Sequence, residues 1–279
     1  MATITTPDGI KLYVEEAGSG TPIVFVHEFA GDWRSWEPQI RHFSRRHRCI
    51  TYSARGYSPS DIPEDAAFYS QEKARDDILA VMDALKIDRA HIVGLSMGAF
   101  ATVHFGLAYP ERALSLLVAG CGYGSDPKDY LPFKQEAEKA AATIAEHGME
   151  YFGRTYGAGP TRLPFKRKDP RGFEEFLTRL CEHSAMGSSL TMANYQAKRP
   201  SLYDFAEGMK NMNVPTLIVN GDEDTPALLP GLFMKEHIPA SGMVTVSRTG
   251  HTINLEEPDL FNHLLETFIA DVSSGSWYR

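Results

Sequence analysis

Apolar positions along this chain follow two patterns that take turns. Segments 22–27, 48–52, 90–93, 113–119 and 214–220 are short apolar runs of the kind a strand buried on both faces requires. Between them the apolar residues recur at helical spacing. Segment 70–85 places Ala74, Ile78, Val81, Met82 and Leu85 on one face. Segment 99–109 is a run of helix formers that stops at Pro110, and 228–237 and 259–272 complete the helical set. Segment 10–17 alternates like a half-exposed strand, and 244–246 is the last strand. Strands that alternate with helices predict an α/β fold: a mostly parallel central sheet, right-handed crossovers and helices on both faces.

That rhythm breaks at 124–212, where helical stretches (133–147, 173–182 and 190–198) follow one another with no buried strand. Aromatic residues are dense here, among them Tyr130, Phe133, Tyr151, Phe152, Tyr156 and Phe165. The expected organisation is a core made of 1–123 and 213–279, with 124–212 as a helical insert lying over the sheet. The tail 273–279 is expected to be loosely held unless Trp277 docks on the body.

Composition narrows the function classes. The chain of 279 residues has 43 % apolar residues and a formal charge of −8. A net acidic surface has no general attraction for phosphate backbones, so nucleic acid is not an expected partner. The basic cluster 41–48 reads as the solvated end of a helix leading into a strand. No apolar run approaches the ~18 residues of a membrane span. Cys49, Cys121 and Cys181 are odd in number and lack metal or CxxC spacing, which predicts free thiols and a cytoplasmic setting. No cofactor or metal site is expected.

The chemistry is concentrated at Gly94-Leu95-Ser96-Met97-Gly98, between an apolar run and a helical one. A serine at the apex of so sharp a strand-to-helix turn is crowded, and a Cβ two positions to either side would clash. The turn lifts the hydroxyl above the sheet, where it can serve as a nucleophile if a base takes its proton.

Three features in order make the chain resemble the α/β-hydrolase superfamily, in its serine hydrolase branch with a helical cap. They are the Ser96 turn, the acidic loop Gly221-Asp222-Glu223-Asp224 after the next core strand, and Gly250-His251 after the last one. The resemblance covers nearly the whole chain. It implies a catalytic triad of Ser96, Asp224 and His251, with Asp222 and Glu223 as rivals for the acid. It also implies an oxyanion hole built from the backbone N–H groups of Met97 and Phe29. One departure stands beside that hole: the family usually has His-Gly where this chain has His27-Glu28. Glu28 either turns away to pair with a cation such as Arg34 or Arg55, or shapes substrate choice or holds a water. His27 reads as a hydrogen-bonding strut. Arg55, in the loop 53–60 that matches the family's Arg-Gly-x-Gly/Ser-x-Ser element, reads as a loop clamp.

The expected pocket side chains are His27, Glu28, Tyr123, Phe152 and Tyr195. Insert residues Arg154, Arg162, Lys166, Arg167 and Lys168 read as solvated surface, with steering of a carboxylate-bearing substrate as the alternative. The implied activity is hydrolysis of an ester, lactone or thioester of a small molecule through an acyl-serine intermediate. Carbon–carbon bond hydrolysis is weakened by Thr252 after His251, and cofactor-free haloperoxidase or perhydrolase chemistry by Gly98-Ala99 in place of Gly-Gly. A small-molecule receptor with a vestigial site is the non-enzymatic alternative.

Overall fold

The computed structural model describes residues 2–278. Eight strands form one sheet in the order β1-β2-β4-β3-β5-β6-β7-β8. They are β1 (Ala2–Thr5), β2 (Lys11–Ala17), β3 (Pro22–Val26), β4 (Arg48–Tyr52), β5 (Ala90–Leu95), β6 (Ala113–Ala119), β7 (Thr216–Gly221) and β8 (Ser241–Val246). β2 runs antiparallel to both β1 and β4, and every other pairing is parallel. This is the expected fold class. β5 and β7 are buried at every position, as strands covered on both faces must be. β1 was not legible in the pattern, because only Ile4 of its four residues is buried. β8 begins three residues before the apolar run, since an edge strand needs little apolar character.

Helices cover both faces. α1 (Glu37–Phe43) lies with the last long helix on one side. The core there joins Phe25, Trp36, Leu95, Phe261 and Phe268. α2 (Gln71–Ala84) and α3 (Met97–Ala108) lie on the other, over Val24, Ile78, Val81, Ile92 and Phe105. The tail is docked: Trp277 Nε1 donates to the Ala240 carbonyl (2.9 Å) and its ring meets Phe268 edge-on at 4.6 Å.

Between β6 and β7 the chain is helical. α4 (Pro127–Gly157) bends at Gly148, whose φ of 76° is open only to a residue with little or no side-chain penalty there. α5 (Leu163–Lys168), α6 (Pro170–Cys181) and α7 (Ala185–Leu190) follow, and then a π-helical turn, Thr191–Gln196. α6 buries Phe173, Phe176, Leu177 and Leu180 along one face. A third core fuses this insert to the C-terminal end of the sheet, joining Phe29, Tyr57 and Met97 to Ile144, Phe165, Leu180 and Tyr195. A short helix, α8 (Ala206–Lys210), leads back to β7. The C-terminal region adds α9 (Thr225–His237), the single turn α10 (Ile253–Glu256) and α11 (Pro258–Ser274). Among the described residues no helix is long and apolar enough to cross a membrane.

Candidate active site

Ser96 joins β5 to α3 with φ 53° and ψ −114°. A left-handed φ on a residue with a Cβ costs on the order of 1–3 kcal/mol and has to be held by its surroundings. Here the flanking glycines make the turn possible. A Cβ on Gly98 would lie 2.1 Å from the Val26 carbonyl oxygen, and one on Gly94 would lie 2.4 Å from that of Gly98. The Ser96 N–H donates to the Ala119 carbonyl (2.8 Å), which pins the turn to β6. Ser96 is part-exposed while the rest of the turn is buried.

His251 and Asp224 meet at the end of the sheet beside it. Asp224 follows β7 at the N-cap position of α9, its side chain turned away from the helix N–H groups, and it is fully buried. His251 Nδ1 lies 2.8 Å from Asp224 Oδ2. The Tyr123 hydroxyl donates to the other carboxylate oxygen (2.6 Å), and its ring meets the imidazole edge-on at 4.8 Å. Burial works against charge on Asp224. The neighbouring His251 and the two hydrogen bonds outweigh it and hold the carboxyl below its ordinary value. The rival acids point elsewhere: Asp222 accepts from the Thr249 N–H (3.2 Å), and Glu223 pairs with Arg167 on the exposed surface (2.7 Å).

Ser96 and His251 line one cavity of about 300 Å³, roofed by the insert through Phe133, Ala137, Tyr156 and Met192. No hydrogen bond joins the Ser96 hydroxyl to the His251 ring among the described residues. Such contacts often tighten only around substrate. Phe29 also lines the cavity, whereas the Met97 side chain lines a neighbouring pocket with His27 and Tyr195. Neither the Phe29 nor the Met97 backbone N–H has a protein acceptor among the described residues. No group of three or more His, Cys, Asp or Glu side chains there is arranged to hold a metal ion.

Of the five side chains expected to line the pocket, Tyr123 does so and the other four stand behind the wall. His27 is a buried strut: its Nε2 accepts from the Ala54 N–H (3.0 Å), so Nδ1–H donates to the Glu28 carbonyl (2.6 Å). Burial lowers its pKa and keeps the ring neutral. Phe152 stacks on Tyr156 (5.2 Å), and it is Tyr156 that faces the cavity. The Tyr195 hydroxyl donates to the Met97 carbonyl (2.9 Å), which turns it toward the nucleophile turn's far side.

Glu28 takes neither expected partner. Arg34 is held by Asp32 and Glu182, and Arg55 clamps Asp77 and Asp8. Glu28 instead pairs with Arg162 of the insert through both carboxylate oxygens, with Nη1–Oε1 at 2.7 Å. Arg162 also donates to Thr252 Oγ1 (2.6 Å) and is itself buried, which corrects its reading as solvated surface. Burial opposes charge on both partners, and their mutual attraction outweighs it, so Glu28 is lowered and Arg162 raised. Glu28 is not among the residues with φ > 0, so the position does not demand glycine. Sequence reasoning also missed Thr161, whose carbonyl accepts the His251 N–H (2.9 Å), and two buried polar residues of the cavity wall, Gln196 and Arg199.

The family described as alpha/beta hydrolase fold matches residues 21–258. Among curated proteins, 3-oxoadipate enol-lactonase 1 of Acinetobacter baylyi is 26 % identical, over 96 % of this chain and 97 % of its own length. The AB hydrolase superfamily protein YisY of Bacillus subtilis is 30 % identical, over 95 % and 97 %. Among solved structures, an enol-lactonase from Burkholderia xenovorans LB400 superposes with a TM-score of 0.81 at 22 % identity, over 96 % of this chain and all (100 %) of that one.

Proposed function

The chain belongs to the alpha/beta hydrolase family, and we propose that it cleaves a carboxylic ester, lactone or thioester of a small molecule through an acyl-serine intermediate. The observation that carries this reading is the 2.8 Å contact between His251 Nδ1 and Asp224 Oδ2 beside a cavity that Ser96 also lines. Asp224 holds the proton on Nδ1, which leaves Nε2 with the lone pair a general base needs. His251 takes the Ser96 proton as Oγ attacks the carbonyl carbon. The oxyanion is received by the N–H groups of Met97 and Phe29. At Met97 the N-terminus of α3 adds a dipole that favours negative charge. His251 then protonates the departing alcohol or thiol, and the same steps with water release the acid and restore Ser96. Residues 124–212 act as the cap, supplying the apolar roof. The name enol-lactonase, shared by two of these similar proteins, supports the lactone end of this range.

The test is acylation. A 4-nitrophenyl ester should give a burst of 4-nitrophenol, and a fluorophosphonate should label Ser96. Ser96→Ala should fold normally and lose about 10⁴-fold or more in kcat. Absence of both burst and label in the wild type rejects the reading, and a fully active Ser96→Ala rejects the assignment of the nucleophile.

A further inference from the structure

Arg199 is a buried cation with no carboxylate partner among the described residues. It is 6 % exposed and lines the same cavity as Ser96 and His251. Its guanidinium lies 3.6 Å over the Phe100 ring and 4.7 Å from that of Phe133. Its hydrogen bonds go to neutral acceptors, Gln196 Oε1 and the Tyr123 carbonyl (2.5 Å). Burial lowers its pKa only to about 10, so it stays charged at neutral pH. The other guanidinium of the wall, Arg162, is already neutralised by Glu28, and the wall's one carboxylate, Glu136, is exposed and makes no ion pair with Arg199 among the described residues.

Two rings over a guanidinium compensate part of its lost hydration, but an unneutralised charge in such a place remains costly. The π-helical turn Thr191–Gln196 precedes Arg199, and both Gln196 and Arg199 line the cavity. Such turns are rare and concentrate at functional sites. Phe100, under the guanidinium, is one helical turn beyond Ser96, its N–H bonded to the Ser96 carbonyl (3.0 Å).

We propose that Arg199 is a carboxylate subsite, and that the enzyme's substrate carries a carboxylate beside its scissile acyl bond. The class is a half-ester of a short dicarboxylic acid, or a lactone bearing a carboxylate. A single negative charge neutralises the site, whereas a dianionic phosphate would leave an excess charge in an aromatic-lined cavity. This inference rests on the acyl-hydrolase reading for its substrate and on Arg199 alone for its ligand.

The test compares mono-4-nitrophenyl glutarate with its neutral methyl ester, together with calorimetric binding of glutarate and of inorganic phosphate. In the wild type the charged substrate should have at least tenfold higher kcat/KM. In Arg199→Met that ratio should fall about 10- to 100-fold, with partial recovery in Arg199→Lys, because a hydrogen bond to a charged group contributes on that scale. Glutarate should bind the wild type more tightly than phosphate and lose that binding in Arg199→Met. A wild-type ratio near one, a ratio unchanged in Arg199→Met, or preferential phosphate binding overturns the proposal. If Arg199→Met does not fold, the wild-type ratio and the rise in wild-type Tm with glutarate decide. If neither ester is hydrolysed and no fluorophosphonate label forms, the acyl-hydrolase reading fails, and glutarate binding still decides the subsite.

Discussion

Arg162 and Glu28, 134 positions apart in sequence, form a bidentate ion pair from which solvent is almost fully excluded. The pair ties three elements together. Glu28 belongs to the loop leaving β3, Arg162 to the insert, and Arg162 also donates to Thr252, next to His251. Thr161, the neighbour of Arg162, accepts the His251 N–H. The insert therefore positions the histidine loop as well as roofing the cavity.

Breaking this pair from one side should be severe. Arg162→Met leaves a buried carboxylate without its cation and should lower stability by about 3–5 kcal/mol. Glu28→Gln should do the same to Arg162. The double variant Glu28→Gln/Arg162→Met should be less destabilised than the sum of the singles, by at least ~1 kcal/mol. Urea unfolding of the four proteins measures this, and strict additivity would show that the pair does not act as a unit.

Tyr123→Phe removes one donor from the charged Asp224. At pH 7 it should cost about 1.5–3 kcal/mol. The sign follows from the lowered Asp224 pKa: the native state gains from the ionised carboxylate above the ordinary value of 3.8, and that gain disappears as pH falls through the lower folded value. The difference between wild type and variant should therefore shrink in acid. A difference that is constant from pH 7 down through that range would mean that the hydroxyl acts through contacts other than its bond to the ionised Asp224 carboxylate.

The parts of the site that the sequence displayed are those set by local backbone. The Ser96 turn is legible because its two glycines are required by contacts with Val26, His27 and Thr102 that any such turn must make. The choice of Asp224 over Asp222 and Glu223 is not local. It depends on which of three adjacent residues the start of α9 turns inward. The Glu28–Arg162 pair and the Arg199 site are further from view, since each needs the insert folded onto the sheet, and sequence spacing carries no record of that docking. Arg162 also has the surroundings of a surface residue in sequence, among Thr161, Leu163 and three nearby basic residues.

Gly98→Ala should be more damaging than its size suggests. The added Cβ meets the carbonyl oxygens of Val26 (2.1 Å) and His27 (2.7 Å), which are backbone and cannot rotate away. Relief would require α3 to separate from β3, so a loss of ~3 kcal/mol or more is expected, with misplacement of the Met97 N–H. A thermal melt and fluorophosphonate labelling of Ser96 report the two effects. A variant with wild-type Tm would show that the helix can shift without cost.

Stability should decline in mild acid before the carboxylates are reached. His91, His104 and His183 are buried, and burial lowers each from 6.5 to about 4. Between these values the unfolded chain binds protons that the folded chain refuses, so stability falls as pH drops from about 6.5 toward 4. Lowering the pH from 7 to 5.5 should cost on the order of 1 kcal/mol per histidine. His104 is a clean place to test this, because its Nε2 has no hydrogen-bond partner among the described residues and its ring packs edge-on against Phe205 at 4.7 Å. His104→Phe should flatten the dependence of the urea midpoint on pH over that interval. An unchanged slope would show that His104 is protonated equally in both states.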